Sequence, residues 1–303
     1  MGLPAEKLEE RKRFIGGSEA AAICGLSKWK TPARVWAEKL GYIEPGQEEK
    51  LHLEVGNLLE DDVAELFVRK TGKQIETVNE TLFHPQYPFI GANIDRRVLG
   101  EGTILECKTT NSFKRKEFEG EELPPEHLLQ VYHYMAVTGA PKAYVAVLIG
   151  NQDFKISVVN RDETAINHLI KREVDFWQNY VLKNKMPVLT KNDNDTLLAL
   201  YPQAKPLSSI SLTDNENQLL EMLEALEKDR DNVDGQIEKI KNELKEKLGE
   251  HEEGLTSLWR MTWKNQSRCS LDVKRLKVEQ PDIWAKYAKT TSTRVFKYDE
   301  RKD

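Results

Sequence analysis

The sequence predicts an α/β fold with a central mixed β-sheet flanked by helices and a helical, coiled-coil-like extension at the C-terminal end. Three observations predict it. Helical and strand patterns alternate through residues 1–190, as in a sheet with helices packed on it. Two apolar runs, Ala143–Ile149 and Phe154–Val159, flank the turn Gly150-Asn151-Gln152-Asp153 and read as a hairpin. Residues 213–248 then carry apolar side chains at spacings of three and four, from Leu219 to Leu248.

In chain order, Ser18–Leu26 reads as a short helix after a Gly-Gly turn, Pro32–Leu40 as a second and Glu54–Thr71 as a longer third. Strands are expected at Thr81–His84, Phe89–Asn93 and Thr103–Thr109. Pro124–Thr138 reads as an apolar helix, and Asp162–Asn184 as an amphipathic one with Asp162 as its cap. A domain is therefore expected over 1–190, a linker rich in Asn, Asp and Pro over 191–212, an acidic helical arm over 213–250 and a basic, aromatic-rich unit over 251–303. Thr213-Asp214-Asn215-Glu216 is a capping box for the arm, and Gly249 a stop.

With 39% apolar and 31% charged residues over 303 positions, the chain can build a core and is not a disordered polymer. No apolar run approaches the roughly 18 residues that span a bilayer, and Met1–Lys7 lacks the apolar core of a signal peptide. Cys24, Cys107 and Cys269 are too far apart in sequence for a CxxC clip. A soluble, cytoplasmic protein is expected. The net charge of -5 argues at first sight against nucleic acid. It is unevenly spread: residues 205–254 hold 7 basic and 14 acidic residues, whereas 255–303 hold 12 basic and 6 acidic.

The chemistry centres on Asn93-Ile94-Asp95 and Leu105-Glu106-Cys107-Lys108. Residues two apart on a strand share a face, so Glu106 and Lys108 project together. The loop with Gly100 and Gly102 can return the chain so that Asp95 lies beside Glu106. Two carboxylates and an ammonium suit metal-assisted phosphodiester hydrolysis, because Mg²⁺ takes one or two carboxylates with waters and phosphate oxygens. Glu-x-Lys also occurs at 10–12, 48–50, 243–245 and 300–302, in polar or helical surroundings that suggest plain surface charge. A half-exposed strand with surface charges remains the alternative for Glu106–Lys108 itself. In the helix Glu54–Thr71, Glu60 borders the apolar stripe and can face the sheet, while Asp61 and Asp62 read as solvated. Ser18 follows two glycines, so its hydroxyl and the free N–H groups of the first turn form either an anion site or a plain N-cap.

Gly16-Gly17-Ser18-Glu19-Ala20-Ala21-Ala22-Ile23-Cys24-Gly25-Leu26-Ser27-Lys28-Trp29-Lys30-Thr31-Pro32 resembles the opening motif of the YqaJ-like viral recombinases, the lambda-exonuclease branch of the PD-(D/E)xK nucleases. Glu54–Glu60, Asn93–Asp95, Leu105–Lys108 and Gln130–Gly139 are similar to its remaining motifs, in family order over about residues 10–185. Ile94 stands where the superfamily name has Pro. The resemblance implies a restriction-endonuclease-like core and a Mg²⁺-dependent exonuclease, with Mn²⁺ able to substitute. Such an enzyme acts on double-stranded DNA ends, 5′ to 3′, and leaves 3′ overhangs for a single-strand annealing partner. It implies that Asp95, Glu106 and the Cys107 carbonyl bind metal, that Lys108 handles the water, and that Glu60 completes a second metal or its water shell. Gln130 would lie near the reaction, and Ser18 with Arg11 or Arg13, and Asn93, would hold a 5′ phosphate. Lambda-type relatives form trimers. An endonuclease or RecB-like nuclease module, and a non-catalytic DNA-binding or assembly protein, are the competing readings.

The six histidines do not form a His-x-x-x-His spacing, and no Walker loop is present. Trp29, Trp36 and Trp177 are expected in packing, and the Cys107 side chain on the far face of its strand. In the C-terminal unit, Trp259, Trp263 and Trp284 lie among lysines and arginines. That mixture suits a nucleic-acid backbone or a small fold with a solvated basic face, and a role in guiding DNA or docking the annealing partner.

Overall fold

The computed structural model describes residues 9–44, 51–120 and 123–299. Met1–Lys7 and the Glu-x-Lys triplets at 48–50 and 300–302 lie outside the described residues. Two compact units form, Met1–Pro202 and Gln203–Asp303.

The first unit begins with helices α1 (Gly17–Ile23) and α2 (Pro32–Lys39). The long helix expected next is two: α3 (Leu51–Leu58) and α4 (Glu60–Thr71), broken at Leu59 with φ -91° and ψ 0°. The break puts Glu60, Asp61 and Asp62 in the first turn of α4, where the free N–H groups favour negative charge. Strands follow: β1 (Ile75–Thr77), β2 (Leu82–Phe83), β3 (Gly91–Ala92), β4 (Arg96–Val98) and β5 (Thr103–Thr110). After a 3₁₀ helix at Ser112–Phe118 come α5 (Pro125–Thr138), β6 (Lys142–Ile149), β7 (Asp153–Asn160) and α6 (Glu163–Phe176). Asp162 caps α6 as expected, accepting from Thr164 N at 2.8 Å and Ala165 N at 3.0 Å. The helix then widens into a π segment, Trp177–Val181.

The sheet order is β1-β4-β5-β6-β7. β5 and β6 run parallel, with α5 as the crossover, and the other neighbours are antiparallel. The expected strand at Phe89–Asn93 is shortened to Gly91–Ala92 and is not in this sheet: it pairs with Leu82–Phe83. The N-terminal segment takes the backbone groups there, Ile15 N donating to Phe89 O (2.8 Å) and Gly91 N to Ile15 O (2.9 Å). One sheet face packs on α5 and α6 through Val131, Met135, Val145 and Ile166, and the other on α4 through Val63 and Phe67.

Part of the expected linker is structured. Helix α7 (Asn194–Leu200) follows the buried Asp193, whose Oδ1 accepts from the Thr31 hydroxyl at the cap of α2 and whose Oδ2 accepts from Thr190 N at 2.6 Å.

The second unit is led by α8 (Asp214–Leu248), capped by Thr213 and Glu216 as the sequence indicates and stopped at Gly249 with φ +54°. A hairpin of β8 (Glu253–Leu255) and β9 (Arg260–Thr262) and short helices α9 (Val273–Glu279) and α10 (Pro281–Tyr287) follow. Among the described residues of this unit only Leu248 is buried.

Candidate active site

The register of β4 on β5 decides the site. Arg96 pairs with Leu105, so the next step brings Asp95 alongside Glu106. Asp95 stands at the entry of β4 rather than at the end of the preceding strand. Beyond Leu105, β5 has no β4 partner, and its free edge is used by the site: Cys107 N donates to Asp95 Oδ2 at 2.7 Å. In an extended strand the N–H and C=O of one residue leave on the same side, so the Cys107 carbonyl leaves toward Asp95 as well. The Cys107 side chain packs partly against the α4 face, and burial raises its thiol pKa.

Glu106 is 3% exposed. Its Oε1 accepts from Gln130 Nε2 at 2.8 Å and contacts Lys108 Nζ at 2.5 Å. Its Oε2 is buried and lacks a hydrogen-bond partner among the described residues. Gln130 also donates to the Tyr134 hydroxyl at 2.9 Å, one turn further along α5. Tyr134 presses on α1: a Cβ at Gly17 would stand 2.5 Å from its ring, which is why glycine is needed there.

Glu60 reaches the site through Arg96, which the sequence reading did not single out. Arg96 Nη1 donates to Glu60 Oε1 (2.8 Å) and to the Asp95 carbonyl (2.6 Å), and Nη2 to Asp61. Asp61, expected to be solvated, is exposed but paired.

These groups open on a cleft of about 390 Å³, also lined by Arg11, Ser18 and Asn93. Arg13 is exposed and is not part of the lining. Ser18 is not the N-cap: that position is Gly16, whose N–H donates to Glu19 Oε2 at 3.0 Å, and Ser18 is the second residue of α1 with its side chain at the surface. Asn93 is exposed and accepts from Thr81 at 2.9 Å. Beneath this end lies a buried pair the sequence analysis missed. Lys39 Nζ meets Glu19 Oε2 at 2.6 Å and donates to the carbonyls of Arg11 (2.6 Å) and Phe14 (2.5 Å). Burial pulls the Lys39 pKa down, and Lys39 outweighs burial to hold Glu19 below its usual range. Trp36 and Trp177 are buried as expected, but Trp29 is 78% exposed, with Lys114 Nζ 5.7 Å from its ring.

Burial, then Glu106, then Glu60 push Asp95 up to about 8, partly offset by the Cys107 N–H and Lys108. Burial disfavours the Lys108 ammonium, but Glu106 and Asp95 outweigh it and raise its pKa. Two carboxylates in one site disfavour each other's ionisation, and a proton or a bound cation relieves that. Among the described residues no three His, Cys, Asp or Glu side chains form a ready-made metal cage. Two carboxylates, one with a bare buried oxygen, beside a backbone carbonyl instead fit a hard divalent ion that keeps several waters.

The YqaJ-like viral recombinase domain matches residues 8–141. The uncharacterized protein YqaJ of Bacillus subtilis (strain 168) is 35% identical over 295 residues, covering 96% of this chain and 92% of its own length. The chain belongs to the YqaJ-like viral recombinase family. Solved structures give the same architecture. The alkaline exonuclease LHK-Exo from Laribacter hongkongensis superposes with a TM-score of 0.51 at 19% identity, and its complex with dAMP with 0.52 at 18%. Each comparison covers 59% of this chain and 94% of the other. This YqaJ-like protein thus shares the fold of these alkaline exonuclease structures over 59% of its length. Among its described residues no helix is long and apolar enough to cross a membrane.

Proposed function

We propose that this YqaJ-like protein is a divalent-metal-dependent exonuclease that hydrolyses double-stranded DNA from its ends. The observation that carries the reading is the bare, buried Oε2 of Glu106, set beside Asp95 and Lys108 at the free edge of β5. Asp95, Glu106 and the Cys107 carbonyl would hold Mg²⁺ or Mn²⁺. Glu60, fixed by Arg96, would serve the water shell. A bound cation lowers the pKa of its water and offsets charge on the reacting phosphate. Lys108 holds the attacking water and donates to the phosphate as negative charge develops. Gln130 fixes the Glu106 carboxylate through Oε1 and leaves Oε2 without a partner among the described residues.

Arg11, Ser18 and Asn93 line the same cleft and supply a cation, a hydroxyl and an amide for a 5′ phosphate. With it we propose a 5′-to-3′ polarity that leaves 3′ overhangs for a single-strand annealing partner, as the family resemblance implies. Arg13, outside the lining, is left out of it. The printed names of the structural neighbours, alkaline exonucleases, support the same reaction class.

Digestion of linear duplexes with and without a 5′ phosphate, in Mg²⁺ and in chelator, tests the proposal. Mg²⁺-dependent loss of one strand from 5′-phosphorylated ends is expected. Cutting of covalently closed circles would contradict it.

A further inference from the structure

The second unit has one buried residue, Leu248, among those described, yet it carries a 35-residue helix. Helices in water gain most of their stability from packing an apolar face. On α8 that face is open. Leu219, Leu226, Val233 and Ile240 recur every seven residues, and Leu223, Arg230, Ile237 and Leu244 every seven starting four further on. This is an a/d heptad seam in which seven of the eight positions are apolar. Six of those seven, all but Leu223, are 42–62% exposed. Gly235, which costs helix stability anywhere, falls on the outward f position. The C-terminal tail touches the helix where the Tyr298 hydroxyl meets Glu227, at an e position on the seam's edge, and leaves the seam open.

We propose that α8 pairs in antiparallel fashion with α8 of a second copy of this chain. The seam itself points to that occupant. Its spacing of 4-3-4-3-4-3-4 reads the same in both directions, so a two-fold axis between Asp231 and Asn232 maps it onto itself. The layers are then Leu219 on Leu244 of the second copy, Leu223 on Ile240, Leu226 on Ile237 and Arg230 on Val233. Charge selects the direction. Residues 214–231 hold seven acidic and two basic side chains, and residues 232–248 four of each. Parallel pairing would lay the acidic halves together and set Arg230 on Arg230. Antiparallel pairing lays each acidic half on a neutral one. It also leaves each Arg230 beside the acidic Asp229, Asp231 and Asp234 of the central turns. A single polar seam position fixes register, because a one-heptad slip would bury Arg230 among leucines and isoleucines.

The pairing requires no nuclease activity and can be tested on the full-length protein. By light scattering after size exclusion, wild type is expected at a larger mass than Leu226→Asp/Ile240→Asp, and at twice its mass where the first unit is monomeric. Equal masses would overturn the pairing, as would a wild type whose seam closes on its own chain. Cysteine cross-linking in a Cys269→Ser background does not depend on the double variant folding. Leu219→Cys/Leu244→Cys is expected to give covalent dimers, and neither single cysteine variant to do so. Dimers from Leu219→Cys alone would mean a parallel pair and reject the proposal.

Discussion

Gln130 Nε2 stands 2.8 Å from Glu106 Oε1 and so ties helix α5 to the free end of β5. The second oxygen of the same carboxylate is buried and has no hydrogen-bond partner among the described residues. Gln130→Ala is expected to cut kcat by about 10–100-fold, equivalent to roughly 1.4–2.7 kcal/mol of barrier, with little change in melting temperature. Steady-state digestion with a thermal melt checks this; an unchanged kcat would remove Gln130 from the account.

Arg96 joins Glu60, Asp61 and the Asp95 carbonyl from a position 5% exposed. Arg96→Met leaves Glu60 without its partner and is expected to cost about 1.5–3 kcal/mol, the range for charged hydrogen bonds, and most of the activity. Arg96→Lys is expected to restore little, since one ammonium cannot span three acceptors. Denaturant titration of both variants reads the stability and a nuclease assay the rescue.

The buried Lys39–Glu19 pair holds the backbone at Arg11 and Phe14 against α1. Lys39→Met alone is expected to destabilise by about 3–5 kcal/mol, because it strands a buried carboxylate. Adding Glu19→Gln should recover part of the loss. A double-mutant cycle measures the coupling. Additive effects would show that the two side chains act independently.

The strands and helices that carry their own periodicity were legible in the sequence. β5 was read to within one residue, and α5 likewise, because apolar runs and turn residues bound both. The proximity of Asp95 and Glu106 was legible too, since a short loop with two glycines, at φ +77° and +61°, closes it. Arg96 was not. Arg96-Arg97 after an Asp reads as a solvated turn, and its burial depends on Glu60, 36 positions away. Lys39 was hidden for the same reason: at the end of a helix it resembles any solvated lysine, and only folding brings Glu19 to it. The strand expected at Phe89–Asn93 forms only at Gly91–Ala92 and outside the central sheet, and Ile15 takes backbone groups beside it, a long-range pairing that local pattern cannot show.

His127, stacked on Phe118 at 5.7 Å, is lowered to about 4 by burial and then by Lys108 and Lys114. The folded state therefore binds this proton less readily than the unfolded chain, whose histidine titrates near 6.5. Its neutral form contributes fully above pH 6.5, and the contribution is lost as pH falls toward 4. The shift corresponds to at most about 3 kcal/mol. His127→Phe is expected to flatten the stability difference between pH 7 and pH 4.5. Identical pH profiles for variant and wild type would contradict the assignment.

The central claim is that Asp95, Glu106 and Lys108 form one metal-dependent hydrolytic site. The most direct test is Mg²⁺-dependent digestion of a 5′-phosphorylated linear duplex by wild type and by Asp95→Asn, Glu106→Gln and Lys108→Ala, with folding checked by circular dichroism. The account predicts a fall of at least about 10³-fold for each folded variant, about 4 kcal/mol of transition-state stabilisation. Wild-type rates in any of the three would contradict it.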